Sequence, residues 1–341
     1  MPTYFTTAQV VAAGNALDSF TPFLRDKFFG STITFETQEI LFDKVGRRRK
    51  IAPFVAPTIP GKERAKRGGK TTSYTAPYIK LKNSLTAADS QPRRLGEAYG
   101  GEGTQLTRHE ELKLVTLADH ENEIRGREEL MCAQALISGV VTAEGDGISD
   151  TIDYGRDAAL TKALTLTARW GESAKPYDDL KAWARLIASK SGAAARDVVL
   201  GYGAWDLLQK DTDFLEKLDN RRGGTDQIEL AGNVSGAVDE VAILHGTVGQ
   251  FRFWEYVQTY ETDSNQTEHF WPEFGVGLVG SGRFNGHMAY GAIQDTKALT
   301  AQSRFAKDYY DEEIGTDILL TQCAPLSVPV DADASLFALV R

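Results

Sequence analysis

The chain has 341 residues, of which 42% are hydrophobic and 25% charged, an ordinary composition for a folded protein with one large core or two modest ones. Its apolar runs are far shorter than the roughly 20 residues that a helix needs to cross a bilayer. The N-terminus lacks the charged start and continuous apolar run of a signal peptide, so we expect a protein made and used in the cytoplasm.

The first predicted elements are short. An amphipathic helix is expected to begin at Thr6 or Thr7. Residues 31–45 then alternate polar and apolar side chains, with Ile33 and Ile40 among the apolar ones. This period of two predicts a strand with one buried face.

Residues 44–82 form a basic segment in an acidic chain. The segment holds twelve Lys and Arg against one acid, Glu63, so it carries +11 while the chain as a whole carries −9 and the remainder −20. Its four prolines and the pair Gly68-Gly69 favour a long two-stranded excursion over a helix. An excursion of about 40 residues is uncommon within a compact domain, so we expect it to project and to be packed by another molecule.

Three interpretations of this segment are open. Contact with neighbouring copies of the chain is favoured, because the acidic remainder would repel a phosphate backbone. Binding of RNA or DNA through residues 47–50 and 62–70 is the second. A solvated loop without a partner is the third.

The clearest helix in the sequence is predicted over residues 107–138. Thr107 with Glu110 fits a capping box at its start, and Gly139 marks its end. At 1.5 Å per residue the helix would run on the order of 45 to 50 Å. We expect its pairs Glu110-Glu111 and Glu128-Glu129 to lie on a solvated or subunit-facing charged edge.

The remaining chain mixes helices and strands, which suggests a second α+β domain inserted between parts of the first. Strand character on both sides of residues 145–147 predicts a hairpin. Further predictions are a helix over 177–191, a short buried strand over 197–201, short helices within 204–217, several strands within 238–293, and a tail of two strands joined across 325–334.

No pattern in the sequence predicts catalysis, a cofactor or a metal, and the chain is not expected to be an enzyme. The GxGxxG stretch at 275–280 is followed by glycine-rich sequence, so a strand and turn is favoured over a dinucleotide site. The Asp pairs at 211/213 and 331/333 are predicted to cap turns or helices. The five histidines lack metal-ligand spacing, and Cys132 and Cys323 are expected to be free buried thiols.

Six stretches in this order resemble the major capsid proteins of tailed phages related to lambda. They are TTAQVVAA at 6–13, PFLRDKFF at 22–29, RGG at 67–69 with its continuation TSYTAPYIKLK, LDNRRGG at 218–224, YGAIQD at 290–295 and QCAPLSVPVDAD at 322–333. Residues 100–160 resemble the family least in their letters.

The resemblance implies the HK97-like phage capsid fold, of class α+β. Its parts would be an N-terminal arm at 1–34, an extended loop with a β-hairpin at 35–82, a peripheral domain at 83–165 and 312–341 with a spine helix at about 107–138, and an axial domain at 166–311. It also implies hexamers and pentamers that close into an icosahedral head around double-stranded DNA, without a catalytic site or cofactor. Scaffold, portal and decoration proteins are possible partners, no membrane is involved, and the protein would lie in the virion after assembly in the host cytoplasm.

The predicted subunit contacts lie in the extended loop. They are Arg47, Arg48, Arg49, Lys50, Lys62, Arg64, Lys66, Arg67, Gly68 and Gly69. Two alternatives are kept: an encapsulin-like nanocompartment shell protein of the same fold, and a nucleic-acid-binding protein that uses residues 47–70.

Overall fold

The computed structural model describes most of the chain. The described residues are 20–45, 51–52, 54, 56–58, 60, 69–91, 105–145, 147–212, 214–215, 242–262 and 264–341. The helix predicted to begin at Thr6 or Thr7 lies outside them. None of the described helices is long and apolar enough to span a membrane.

Five helices and eighteen strands make up the described part of the fold. The helices are α1 (Phe23–Phe28), α2 (Gln105–Ile137), α3 (Pro176–Lys190), α4 (Tyr202–Gln209) and α5 (Ser281–Phe284). The strands are β1 (Ser31–Thr34), β2 (Glu39–Val45), β3 (Gly69–Thr75), β4 (Ile79–Leu85), β5 (Val140–Gly145), β6 (Ile148–Asp153), β7 (Thr161–Ala163), β8 (Asp197–Leu200), β9 (Ala242–Val248), β10 (Phe251–Tyr256), β11 (Thr259–Glu261), β12 (Thr267–His269), β13 (Gly275–Val279), β14 (His287–Tyr290), β15 (Phe305–Asp311), β16 (Thr316–Cys323), β17 (Pro325–Val328) and β18 (Ser335–Leu339). The single strand predicted over 31–45 is two strands, β1 and β2, which pair in different sheets.

The largest sheet has six strands in the order β7-β18-β13-β8-β10-β9. Its central strands β8 and β13 are buried along their whole length, as expected where both faces of a sheet are covered. Helix α3 contacts β13 and β18. Its buried Leu180, Trp183, Ala184 and Ile187 recur at helical spacing, and this confirms the helix predicted over 177–191.

Two three-stranded sheets flank the long helix α2. One has the order β15-β16-β4 and the other β1-β14-β17, and α2 contacts β16 and β17. Helix α2 has 33 residues and its bounds differ from the predicted ones by one or two residues. It ends at Gly139, whose φ of +74° suits a residue without a Cβ. Because α2 begins at Gln105, Thr107 lies inside its first turn, and the predicted capping box is wrong.

The tail contains three strands, so the prediction of two was wrong. Strand β17 lies inside the stretch 325–334 that was expected to join the two strands. Pro325 is the first residue of β17, and β17 is the edge strand of its sheet. A proline has no N–H to donate, and this is tolerated at the first residue of an edge strand.

The hairpin predicted around residues 145–147 is confirmed. Strands β5 and β6 pair antiparallel from Val140 opposite Asp153 to Gly145 opposite Ile148. Further antiparallel hairpins are β2-β3, β9-β10, β11-β12 and β15-β16.

Candidate subunit contact surface and its anchorage

The β2-β3 hairpin forms the root of the basic excursion. Its strands pair from Glu39 opposite Thr75 to Val45 opposite Gly69. Ile40 is fully buried at this root. The Phe42 ring lies 6.1 Å from the ring of Phe35 on one side and 6.5 Å from the ring of Tyr74 on the other.

Tyr74 carries this aromatic contact into the body of the protein. Its ring centroid lies 5.6 Å from that of the buried Tyr154, and the Tyr154 hydroxyl donates to the carbonyl oxygen of Ser327 on β17. Aromatic pairs of this kind stabilise a hairpin beyond their buried area. The root of the excursion is therefore held firmly against β17.

Three apolar side chains of the hairpin and its extension are exposed to solvent. Leu41 on β2 is 61% exposed, Ile51 92% and Phe54 fully exposed. Large exposed apolar side chains are common on surfaces that contact another protein.

Only one of the ten predicted contact residues lies within the described part of the chain. Gly69 is the first residue of β3, opposite Val45. Arg47, Arg48, Arg49, Lys50, Lys62, Arg64, Lys66, Arg67 and Gly68 lie outside the described residues. Their role in subunit contact stays a prediction.

Acidic side chains are concentrated on two other hairpins. Glu144, Asp150 and Asp153 are exposed on β5 and β6, and no Lys or Arg occurs within residues 140–153. Glu312 and Glu313 are exposed in the turn between β15 and β16. These surfaces are opposite in charge to the excursion.

The GxGxxG stretch has a packing explanation. Gly275 and Gly277 lie in β13, in the middle of the six-stranded sheet. A Cβ at Gly277 would lie 2.7 Å from the Trp271 ring, so the glycine makes room for that ring. The sequence predicted no helix after this stretch, and that prediction was wrong. The helix there, α5, is four residues long.

Asp211 and Asp333 accept hydrogen bonds from backbone N–H groups, and the two cysteines are buried. An Asp211 carboxylate oxygen accepts from the backbone N–H of Tyr177 in the first turn of α3, at 3.5 Å, and an Asp333 oxygen accepts from the N–H of Asp157, at 2.8 Å. Asp213 lies outside the described residues. Cys132 and Cys323 are free and buried, as predicted. Among the described residues no group of three or more His, Cys, Asp and Glu is arranged to hold a metal.

Glu128 is fully buried, so its predicted place on a solvated or subunit-facing edge was wrong. One carboxylate oxygen accepts from the Tyr290 hydroxyl at 2.8 Å. The other lies 3.1 Å from a guanidinium nitrogen of Arg304 and 3.2 Å from Nε of Arg25. Arg304 also pairs with Glu121. Burial and the adjacent Glu128 carboxylate raise the pKa of Tyr290, so its hydroxyl keeps the proton that it donates.

Glu129 is fully buried as well, and the same prediction was wrong for it. Its Oε1 accepts from the backbone N–H of Leu24 at 2.7 Å and its Oε2 from that of Arg25 at 2.9 Å. These N–H groups belong to the first turn of α1, where Pro22 provides no side-chain cap. Glu129 therefore caps α1 from the neighbouring helix. Burial raises its pKa to about 7 despite these hydrogen bonds.

The chain is similar in sequence to known capsid proteins over nearly its whole length. The family model for phage major capsid protein E matches residues 6–340. The P21 prophage-derived major head protein of Escherichia coli O6:H1 is 28% identical, with 99% of each chain covered. The major capsid protein of Escherichia phage lambda is 24% identical, with 96% of this chain and 97% of that protein covered.

Solved structures agree at the level of the fold. A crystal structure of a capsid protein of an E. coli CFT073 prophage superposes with a TM-score of 0.74 at 20% identity, covering 99% of this chain and 100% of that one. The predicted HK97-like α+β capsid fold is thereby confirmed. The family consists of structural capsid proteins, which confirms that the chain is not an enzyme. This chain belongs to the phage major capsid protein E family and is a structural subunit of a phage head.

Proposed function

We propose that copies of this chain form hexamers and pentamers that close into an icosahedral head, and that residues 44–82 of each copy dock on a neighbour. The contact residues would be Arg47, Arg48, Arg49, Lys50, Lys62, Arg64, Lys66, Arg67, Gly68 and Gly69. The observation that carries the proposal is the separation of charge between this segment, at +11, and the rest of the chain, at −20.

Electrostatics supports a copy of the same chain as the partner. The exposed acidic side chains on the β5-β6 hairpin and in the β15-β16 turn offer surfaces of opposite charge. In a shell each subunit presents its excursion to one neighbour and its acidic surfaces to another, a heterologous contact that closes by symmetry. Charge complementarity of this kind sets orientation and suppresses wrong pairings.

The shape of the excursion supports the same partner. A two-stranded hairpin has little stability of its own, and residues beyond the β2-β3 root expose Ile51 and Phe54. Contact with a neighbouring subunit would cover these apolar side chains. The root is fixed by the contacts of Phe42, Tyr74 and Tyr154, so the direction of the excursion would be set before assembly.

The head would enclose double-stranded DNA without binding it sequence-specifically. A subunit with a net charge of −9 does not attract DNA strongly, which suits DNA that must enter and later leave. Scaffold, portal and decoration proteins are proposed partners, and assembly is proposed to occur in the host cytoplasm.

Reversal of charge at the excursion tests the proposal. The variant Arg47→Glu/Arg48→Glu/Arg49→Glu is expected to fold, with an unchanged thermal unfolding midpoint, but to sediment as free subunits where the parent chain sediments as shells. The control Arg185→Glu/Lys210→Glu/Lys297→Glu makes the same change in net charge at exposed side chains outside residues 44–82. This control is expected to keep assembling.

Normal shells from the Arg variant would overturn the role of the excursion. Loss of assembly in both variants would show that net charge, not the excursion, controls assembly. Steeply salt-dependent DNA binding by free subunits of the parent chain, abolished in the Arg variant, would favour the nucleic-acid alternative.

A further inference from the structure

Three oxygen atoms lie next to one another near helix α1, two on buried side chains and one on the half-buried Gln258. The Tyr256 hydroxyl oxygen on β10 lies 2.8 Å from Oε1 of Glu129 and 3.0 Å from the side-chain oxygen Oε1 of Gln258. Glu129 is fully buried and Tyr256 is 1% exposed. Both distances are those of O–H···O hydrogen bonds.

Two such hydrogen bonds need two protons. The Tyr256 hydroxyl supplies one, and an amide oxygen supplies none. The backbone N–H of Leu24 donates to the same Oε1 and that of Arg25 to Oε2, so neither supplies a proton to the bonds of the Tyr256 oxygen. The second proton must therefore come from the carboxyl group of Glu129.

We propose that Glu129 is a buried proton-binding site: its carboxyl group is protonated and donates to the Tyr256 oxygen, while the Tyr256 hydroxyl donates to Gln258. When Glu129 ionises, the Tyr256 hydroxyl turns to donate to the carboxylate and its bond to the Gln258 oxygen is lost. The hydroxyl thus serves both protonation states of Glu129, and ionisation of Glu129 costs the site its hydrogen bond to Gln258.

The charges around Glu129 agree with a neutral carboxyl group. The Arg25 guanidinium pairs with the Glu128 carboxylate, so its positive charge does not act on Glu129 alone. Asp26 adds negative charge from α1. The titratable and charged groups that face the site are Arg25 and Asp26 from α1, Arg125, Glu128 and Cys132 from α2, and Tyr256 from β10. Burial dominates in raising the pKa of Glu129.

Proton binding at Glu129 is linked to the docking of α1. Helix α1 is held by the two N–H bonds to Glu129 and by Phe23, whose ring lies 5.3 Å from that of Trp254 and 5.5 Å from that of Tyr256. Undocking of α1 exposes Glu129 to water and returns its pKa toward the ordinary range. Linkage then requires that a rise in pH, which ionises Glu129, weakens the docking of the N-terminal segment.

Infrared spectroscopy of the full-length chain over a pH series tests the proposal. The parent chain is compared with Glu129→Gln, with Gln258→Leu and with the control Glu123→Gln, which removes an exposed carboxyl group from the same helix. We expect the difference between parent and Glu129→Gln to contain the C=O band of a protonated carboxyl group. This band should vanish with a midpoint well above the ordinary Glu range, whereas the difference between parent and Glu123→Gln should contain no band that vanishes at that midpoint.

The Gln258→Leu variant separates the proposal from a rotated amide. Without the Gln258 oxygen, the Tyr256 proton is free for the carboxylate, so the midpoint of Glu129 should fall by about one pH unit or more. An unchanged midpoint would overturn the proposal, because the Gln258 amide would then be donating to Tyr256. Absence of the protonated band at neutral pH would overturn it directly. If Glu129→Gln fails to fold, the Gln258→Leu midpoint alone decides.

Hydrogen exchange gives an independent readout. After correction for the intrinsic pH dependence of exchange, the amides of residues 23–29 should exchange faster above the midpoint in the parent chain and show no such step in Glu129→Gln. A step that persists in Glu129→Gln would contradict the link between this carboxyl group and α1.

Discussion

Buried charges on the long helix α2 depend on partners from distant parts of the chain. Glu128 lies between the guanidinium groups of Arg25 and Arg304, which are more than a hundred residues away on either side. Burying a carboxylate is costly unless its charge is paired and its oxygens are hydrogen-bonded, and here both conditions are met. Two consecutive glutamates on a helix are predicted to be exposed, and only knowledge of these partners could have reversed that prediction.

Removal of one of these partners should be strongly destabilising. We expect Arg304→Met to lower the free energy of unfolding by about 3 kcal/mol, because it leaves Glu128 buried with one cation fewer and removes one of the two arginines that pair with Glu121. The control Lys181→Met removes a partly exposed pair with Asp178 and should cost less than about 1 kcal/mol. Urea denaturation of both variants measures these costs, and equal values would contradict the assignment of a buried ion pair.

The titration of Glu129 predicts how stability varies with pH. Its pKa is about 7 in the folded chain against an ordinary value of 4.5, so the folded state holds this proton over a pH range in which the unfolded state has lost it. This contribution to the free energy of unfolding is largest below pH 4.5 and falls as pH rises to about 7, by roughly 3 kcal/mol.

A difference measurement isolates this effect. His120 works in the opposite direction within the same range, because burial lowers its pKa. The quantity to compare is therefore the slope of unfolding free energy against pH in the parent chain minus that in Glu129→Gln, measured by urea denaturation. We expect a negative difference in slope. A difference of zero would show that Glu129 has an ordinary pKa.

At the scale of elements, local pattern predicted what local forces determine. Helix α2 was predicted to within two residues because its 33 residues contain no proline and are followed closely by Gly139, which has a positive φ. Strand β17 was missed because its acceptability depends on Pro325 lying at a sheet edge, which only the tertiary arrangement shows. The rings that anchor the β2-β3 hairpin to Tyr154 were likewise beyond local pattern.

Two glycines in different elements should respond oppositely to alanine. Gly126 lies in the interior of α2 with open space where a Cβ would be, so Gly126→Ala should stabilise the protein by about 0.5 to 1 kcal/mol. Gly277 lies under the Trp271 ring in β13, so Gly277→Ala should destabilise it by about 1 to 3 kcal/mol. Thermal unfolding of both variants distinguishes these effects, and a shift of the same sign in both would refute the packing explanation of the GxGxxG stretch.

At the scale of the whole molecule, the order of short matching stretches along the chain predicted the fold and the family, and both are confirmed. The division into arm, extended loop, peripheral domain and axial domain stays a prediction, as do the individual contact residues of the excursion. Contacts between copies are formed by surfaces that are exposed in a single chain. Neither periodicity nor packing within one subunit therefore determines these contacts.

Electron microscopy of the full-length chain across a salt series, combined with light scattering, tests the central claim most directly. A capsid subunit should appear as closed shells or as hexameric and pentameric rings, with assembly that responds to salt because oppositely charged surfaces drive it. A monomer whose size does not change with salt, and which changes only when DNA is added, would contradict the account.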